Sequence, residues 1–385
     1  MFNVWYFIDN KLGGVTSLNY NLISHPLQGE VQTVLEIEQE EWAMARANLT
    51  FPNARLQKIK YSNKGNAYRF LKQLRNMVPD QPGALVLNYE NEMAMLDHHE
   101  VPQTTYQLVH DNYNVNLAKK YGHVVDVFIC HNSVVYNELL TFFPDRAGEI
   151  FFLPHGVNIP ENYRKHDTTN APLRLLFLGR MTTQKGIFDL PLICEKLREA
   201  GVLFEWTCIG NGPELEALKA KWNPLDKVKF FSPAGNKEVL DICAVNDVFV
   251  LPTKFEGSPV SLLETMSAGL VPVITALPGG ITDIVDQNTG FAIAMNDNNA
   301  FARAIITLNE DRALLLRMGA HCRQTIIERY DLKNTAVKYH ELFSRYREYY
   351  KEKKLQKLKV GARLDQLFLP PGLIKAVRSV TNRFR

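Results

Sequence analysis

At 385 residues the chain has room for two or three domains of ~150 residues each, and a composition 46% hydrophobic and 22% charged excludes disorder, collagen and coiled coil. The net charge of +3 is uneven: Arg345 to Arg385 holds 12 Lys and Arg against 3 Asp and Glu, which leaves −6 on residues 1–344. Within that acidic body Trp42 to Pro79 carries eight basic residues and no acid, so two basic surfaces point to an anionic partner.

In chain order, short β-rich runs are expected at Asn3 to Ile8, Val31 to Ile37, Ala84 to Leu87, Tyr106 to Val109, Val125 to Ile129 and Ile150 to Leu153. A polar stretch from Val157 to Pro172, holding Pro160 and Pro172, is the best linker. A second series follows at Leu173 to Leu178, Phe204 to Ile209, Val228 to Phe231, Val248 to Leu251, Val271 to Thr275 and Gly290 to Ile293. Helices are expected at Arg303 to Arg317, Arg323 to Tyr330 and Thr335 to Lys359. Continuous apolar strands alternating with helical stretches predict an α/β protein of two Rossmann-like, doubly wound domains facing a central cleft. The divisions are 1–163, 164–338 and a tail, 339–385.

The longest hydrophobic stretch, Leu262 to Leu277, is interrupted by Glu264, Gly269 and Pro272, too short and too broken to span a bilayer. The first residues read as a strand, with no basic region or cleavage site of a secretory signal, and five scattered cysteines without a CxxC pair suit buried free thiols in a reducing compartment. The expectation is a cytoplasmic protein.

Three segments concentrate polar chemistry after strands, where open parallel sheets bind ligands. In Pro252-Thr-Lys-Phe-Glu256-Gly257-Ser258-Pro259-Val260, continuing to Glu264, a loop carries Glu256, Ser258 suits a helix cap and Pro259 the first turn, while Glu264 projects from the second turn. Two carboxylates beside free helix N–H groups suit sugar hydroxyls and phosphates, although such a Glu is also common as a solvated or capping residue. Gly179-Arg180, five residues before Lys185-Gly186, offers two cations to a diphosphate, or two exposed cations on a loop. Gly210-Asn-Gly212-Pro213 joins strand to helix but has Leu215 where the dinucleotide fingerprint has its third glycine.

With Asn246-Asp247, Gly269-Leu-Val-Pro272 and Gly279-Gly280, these motifs resemble glycosyltransferase family 4, the retaining nucleotide-sugar enzymes of GT-B architecture, in order and spacing from about Leu173 to Ile293. A thinner resemblance covers Gly13-Gly14, His110-Asp111 and Pro154-His155-Gly156. The resemblance implies that Arg180 and Lys185 neutralise the donor pyrophosphate, Glu264 accepts ribose hydroxyls, and Glu256 binds the donor sugar. It implies too that Gly257, Ser258, Pro259 and Val260 bring backbone to sugar and phosphate, and that Gly13 and Gly14 let backbone approach the diphosphate. His110 resembles the family's active-site histidine, though His110-Asp111 could be only a hydrogen-bonded pair. Thr253, Ser258 and Asp283 depart from the usual family residues and leave the donor open.

No DXD-like metal motif follows a strand, so the expectation is a metal-independent enzyme without cofactors, the basic pair serving instead of a cation. The tail has apolar Leu373, Ile374, Val377, Val380 and Phe384 at helical spacing among Lys375, Arg378, Arg383 and Arg385, a pattern that fits an anionic membrane interface or packing on the N-terminal domain. Trp42 to Pro79 interleaves cations with aromatics; no nucleic-acid module accompanies it, and membrane-associated members of the family use such surfaces, so a bilayer contact is favoured over nucleic acid. The resulting expectation is a hexosyltransferase on the inner face of the cell membrane, acting from a nucleotide diphosphate sugar onto a lipid-linked or lipopolysaccharide-type glycan. Two alternatives stay open: an epimerase or hydrolase of the same fold, and a non-catalytic module that binds sugar nucleotides.

Overall fold

Runs such as Ala84–Leu87 and Val248–Leu251 are buried along their whole length, as strands covered by helices on both faces must be. The computed structural model describes residues 1–9, 13–39, 50–62, 65–161, 163, 171–222, 226–232, 235–257 and 259–360. The chain divides into two units, Met1–Pro154 with Thr335–Arg385, and His155–Asn334.

The first unit runs β1 (Phe2–Asp9), α1 (Gly14–Ile23), β2 (Glu30–Gln39), β3 (Arg55–Tyr61), α2 (Ala67–Met77), β4 (Ala84–Leu87), α3 (Glu90–His98), β5 (Thr104–Val109), α4 (Asn112–Tyr121), β6 (Val127–Cys130), α5 (Ser133–Phe142) and β7 (Ile150–Phe152). Its seven strands lie in the order β3-β2-β1-β4-β5-β6-β7, and every pairing is parallel. The strand order reverses between β1 and β4, the switch point where loops part and a ligand crevice opens.

The second unit runs β8 (Leu173–Leu178), α6 (Asp189–Glu199), β9 (Phe204–Ile209), α7 (Leu215–Lys219), β10 (Val228–Phe231), α8 (Asn236–Cys243), β11 (Val248–Leu251), α9 (Val260–Ser267), β12 (Val271–Thr275), β13 (Phe291–Ile293), α10 (Asn298–Glu310) and α11 (Arg312–Arg329). Its sheet order is β10-β9-β8-β11-β12-β13, again all parallel, with the switch point between β8 and β11. Both units are thus Rossmann-like. Val157 lies inside the second unit, where its N–H donates to Tyr330 O and it bridges Asp331, so the expected linker begins as structure.

After α12 (Leu332–Ser344) and α13 (Tyr346–Tyr349) the chain leaves the helical state, a correction to the helix expected through Lys359. Residues 351–360 form an irregular strap on the first unit instead. The Lys353 ammonium pairs with the buried Asp126 carboxylate at 2.6 Å, and Asp97 accepts the N–H groups of Gln356, Lys357 and Leu358. Fixed acceptors for three successive N–H groups replace the intrahelical bonds the segment gives up. α12 joins the same unit through His340, whose ring sits 3.0 Å from Leu22 O and 2.9 Å from the buried Glu30 carboxylate.

β3 is a strand where only a basic surface was expected. It lies at the sheet edge, largely exposed, and Lys58 pairs with Glu36 and Glu38 of β2. Charged side chains on an edge strand discourage pairing with other chains, which masks the apolar signal of a strand. The Arg75 guanidinium likewise pairs with Asp80, and the Lys351 ammonium with Glu149. Part of the basic excess is therefore balanced internally. The amphipathic pattern from Leu373 to Phe384, and Trp42 to Leu49, lie outside the described residues. All five cysteines are free and buried, and among the described residues no helix is long and apolar enough to cross a membrane.

Candidate functional site

In the second unit three loops at the carboxyl ends of β8, β9 and β11 are packed backbone to backbone. Gly186 has φ +68°, and a Cβ there would lie 1.8 Å from Pro252 O; Gly210 has φ +136°, and a Cβ would lie 2.0 Å from Gly179 O. No L side chain fits either position. The Lys254 N–H and the Thr253 hydroxyl both donate to Gln184 O, at 2.8 and 3.1 Å, stitching the loop after β11 to the loop after β8.

That stitching sets Lys185 against Glu256. Their side chains form an ion pair across the switch point, with the Glu256 side chain 8% exposed and the Lys185 side chain 26% exposed. Arg180, directly after Gly179, is exposed. Pro259 is the N-cap residue of α9 rather than its first helical residue, with φ −72° and ψ 100°, and among the described residues no side chain caps this helix N-terminus. Without an N–H of its own, Pro259 accepts from Leu262 N at 3.0 Å and leaves the first N–H groups of α9 without intrahelical acceptors. Gly257 and Val260 flank it half-buried, and Ser258 lies outside the described residues.

Glu264 on α9 accepts from Asn236 Nδ2 at 2.5 Å. Burial pushes its carboxyl up to about 7, against the opposing effect of the Asn236 hydrogen bond. Asn236 was not singled out from the sequence; its signal is its place, first in the helix that follows β10. Lys185, Arg180, Glu256 and Glu264 thus all belong to elements that follow β8 and β11 at one switch point.

In the first unit Gly13 is the N-cap of α1 with φ 166°, an extended conformation open to any residue, so backbone geometry does not itself demand glycine there. Gly13 and Gly14 are both exposed. His110 follows β5 and is buried. Asp111 serves α4 as its N-cap, accepting from Asn114 N at 3.2 Å, while the His110 ring has its Nε2 3.3 Å from Asn88 Oδ1. The His131 ring packs tilted against it, 36° between planes and 4.7 Å between centroids, and burial lowers the His131 imidazole to about 4, so it adds no positive charge at neutral pH. Asn88, which was not singled out from the sequence, opens the loop after β4 at the switch point of this sheet.

Residues 172–311 match the family model described as Glycosyl transferases group 1. The amylovoran biosynthesis glycosyltransferase AmsK of Erwinia amylovora is 30% identical over 162 residues, 40% of each chain. Residues 172–311 form a glycosyltransferase family 4-like domain. The UDP-Gal:alpha-D-GlcNAc-diphosphoundecaprenol alpha-1,3-galactosyltransferase of Escherichia coli is 29% identical to the chain, over 43% of it and 44% of the relative. The chain thus spans about two fifths of the length of these curated relatives. Over 90% of its length it superposes on the sucrose-phosphate synthase of Thermosynechococcus elongatus, 99% of which is covered, with TM-score 0.72 at 16% identity, which shows the GT-B fold. The glycosyltransferase family 4-like domain holds Arg180, Lys185, Glu256 and Glu264; Gly13, Gly14 and His110 lie outside it.

Proposed function

We propose that the chain is a retaining hexosyltransferase that moves a sugar from a nucleotide diphosphate donor to a lipid-linked or cell-surface glycan. The observation that carries this reading is the Lys185–Glu256 ion pair, held at the switch point by loops that admit only glycine at two contacts. In the reaction the bond between the anomeric carbon and the diphosphate oxygen breaks, and negative charge grows on the leaving group. Lys185, released from Glu256 by the incoming diphosphate, and Arg180 stabilise that charge without a metal ion. Glu256 then accepts sugar hydroxyls, Glu264 the ribose hydroxyls, and the α9 N-terminus around Gly257, Ser258, Pro259 and Val260 faces phosphate. The acceptor hydroxyl attacks the face the diphosphate leaves and gives up its proton to that diphosphate. The family resemblance assigns His110 to the transferred sugar and Gly13 and Gly14 to the diphosphate.

The relatives' names support the acceptor class, since one acts on a diphosphoundecaprenol-linked sugar and another serves amylovoran biosynthesis. Such acceptors sit at a membrane, and the exposed cations Arg69 and Lys72 on α2, with the residues after Val360, would hold the enzyme there. Sedimentation with anionic vesicles should fall for a chain ending at Val360, which keeps the strap; equal binding by both chains would contradict a tail anchor. For the reaction, Lys185→Ala and Glu256→Gln should each cut transfer about 100-fold or more while the melting temperature stays within a few degrees. Near-normal turnover in either variant would sink the reading.

A further inference from the structure

We infer that Asn88 is a positioning residue that holds the neutral His110 ring as its Nε2–H tautomer, with the lone pair on Nδ1. Two main-chain carbonyls orient the side-chain amides here. Asn19 Nδ2 donates to Val15 O at 2.9 Å and to Asn88 Oδ1 at 3.1 Å, and Asn88 Nδ2 donates to Phe7 O at 2.7 Å. Carbonyl oxygens only accept, so both amides are fixed: turning the Asn88 amide over would set its oxygen against Phe7 O and its NH2 against the Asn19 NH2. Asn88 Oδ1 is therefore an acceptor. The ring nitrogen 3.3 Å from it, His110 Nε2, must be the donor.

The frame around this pair is closed on its other sides. Asn114 Nδ2 donates to Asn88 O at 2.8 Å while Asn114 Oδ1 accepts from His110 N at 3.3 Å, so one side chain ties the main chains of both residues together. Glu92, with no exposed surface, accepts from the N–H groups of Asn88 and Tyr89 at 2.5 and 3.1 Å. Asn88 itself is fully buried. β1, β4 and β5, adjacent in the sheet, thus supply Phe7 O, Asn88 and His110, one after another at the switch point. A neutral ring so held carries its lone pair on Nδ1, and the catalytic weight of the ring rests on the reading of His110 as a sugar contact.

The test uses the full chain labelled with 15N-histidine. Long-range 1H–15N correlation at pH 8, with the His110 signals identified by their loss in His110→Gln, should show the Nε2–H pattern. An Nδ1–H pattern in the wild type overturns the inference, whatever the activity. Asn88→Ala removes the acceptor and should let the Nδ1–H form appear, with kcat down about tenfold and the donor KM within about twofold. Asn88→Asp, protonated on the oxygen that faces Phe7 O, keeps an acceptor opposite Nε2 and should restore the Nε2–H pattern and most of kcat. A His110 spectrum unchanged in Asn88→Ala would show that Asn88 does not set the tautomer. The Nε2–H pattern together with full turnover in His110→Gln would overturn the catalytic reading of His110 and leave the tautomer standing.

Discussion

Glu264 is the site carboxylate whose charge is set within the physiological range. Burial holds its folded value at about 7 against an ordinary 4.5. Between those values the native state keeps a proton that the unfolded chain has released, so this residue's contribution to stability is full below about pH 4.5 and is lost as pH rises through about 7. On the proposed ribose role of Glu264, ligand binding should run the opposite way, because only a carboxylate accepts from two hydroxyls at once. Calorimetric titration with a nucleoside diphosphate should find affinity about tenfold weaker at pH 6 than at pH 8, and Glu264→Gln should be weak and flat across that range. The Glu256 and Glu264 pair was legible as carboxylates at a strand-to-helix junction. The partners that set their behaviour were not: Asn236 lies 28 residues before Glu264 in the chain, and Asn88 lies 22 before His110. Only the sheet order brings such pairs together, and single asparagines after strands carry no periodic signal.

The loops after β8, β9 and β11 act as one element because glycine lets them touch. Gly186→Ala forces a side chain onto Pro252 O at positive φ and should destabilise the second unit by more than about 1 kcal/mol, with a lower melting temperature and a raised donor KM. At this scale the buried strands were readable to within two residues, since continuous apolar runs bounded by glycine and proline have few other readings. β3 was not, because an edge strand with Lys58 and Lys60 pointing to water looks like a charged loop. The strap at 351–360 was read as helix from its lysines and leucines, whereas the acceptors Asp97 and Asp126 that hold it out of the helical state lie more than 220 residues earlier. Lys353→Ala leaves Asp126 buried without its ammonium and should cost about 3 kcal/mol, read from chemical denaturation.

Across the whole molecule, charge is arranged by use rather than by sum. Lys58, Arg75, Lys351 and Lys353 are spent on pairs within the first unit, Lys185 is paired with Glu256 in the second, and Arg180 is exposed. Two parallel sheets, each with its strand order reversed at one point, put the candidate donor residues at the carboxyl ends of β8 and β11 and His110 at the end of β5. The proposed transfer of a hexose with retention is checked by incubating the full chain with an α-linked UDP-hexose labelled at the anomeric carbon and a lipid diphosphate-linked sugar acceptor, then reading the product by NMR. Label should appear in an α-glycosidic bond to the acceptor and be lost in Lys185→Ala; a β-linkage, or label found only as free hexose, would rule out retaining transfer.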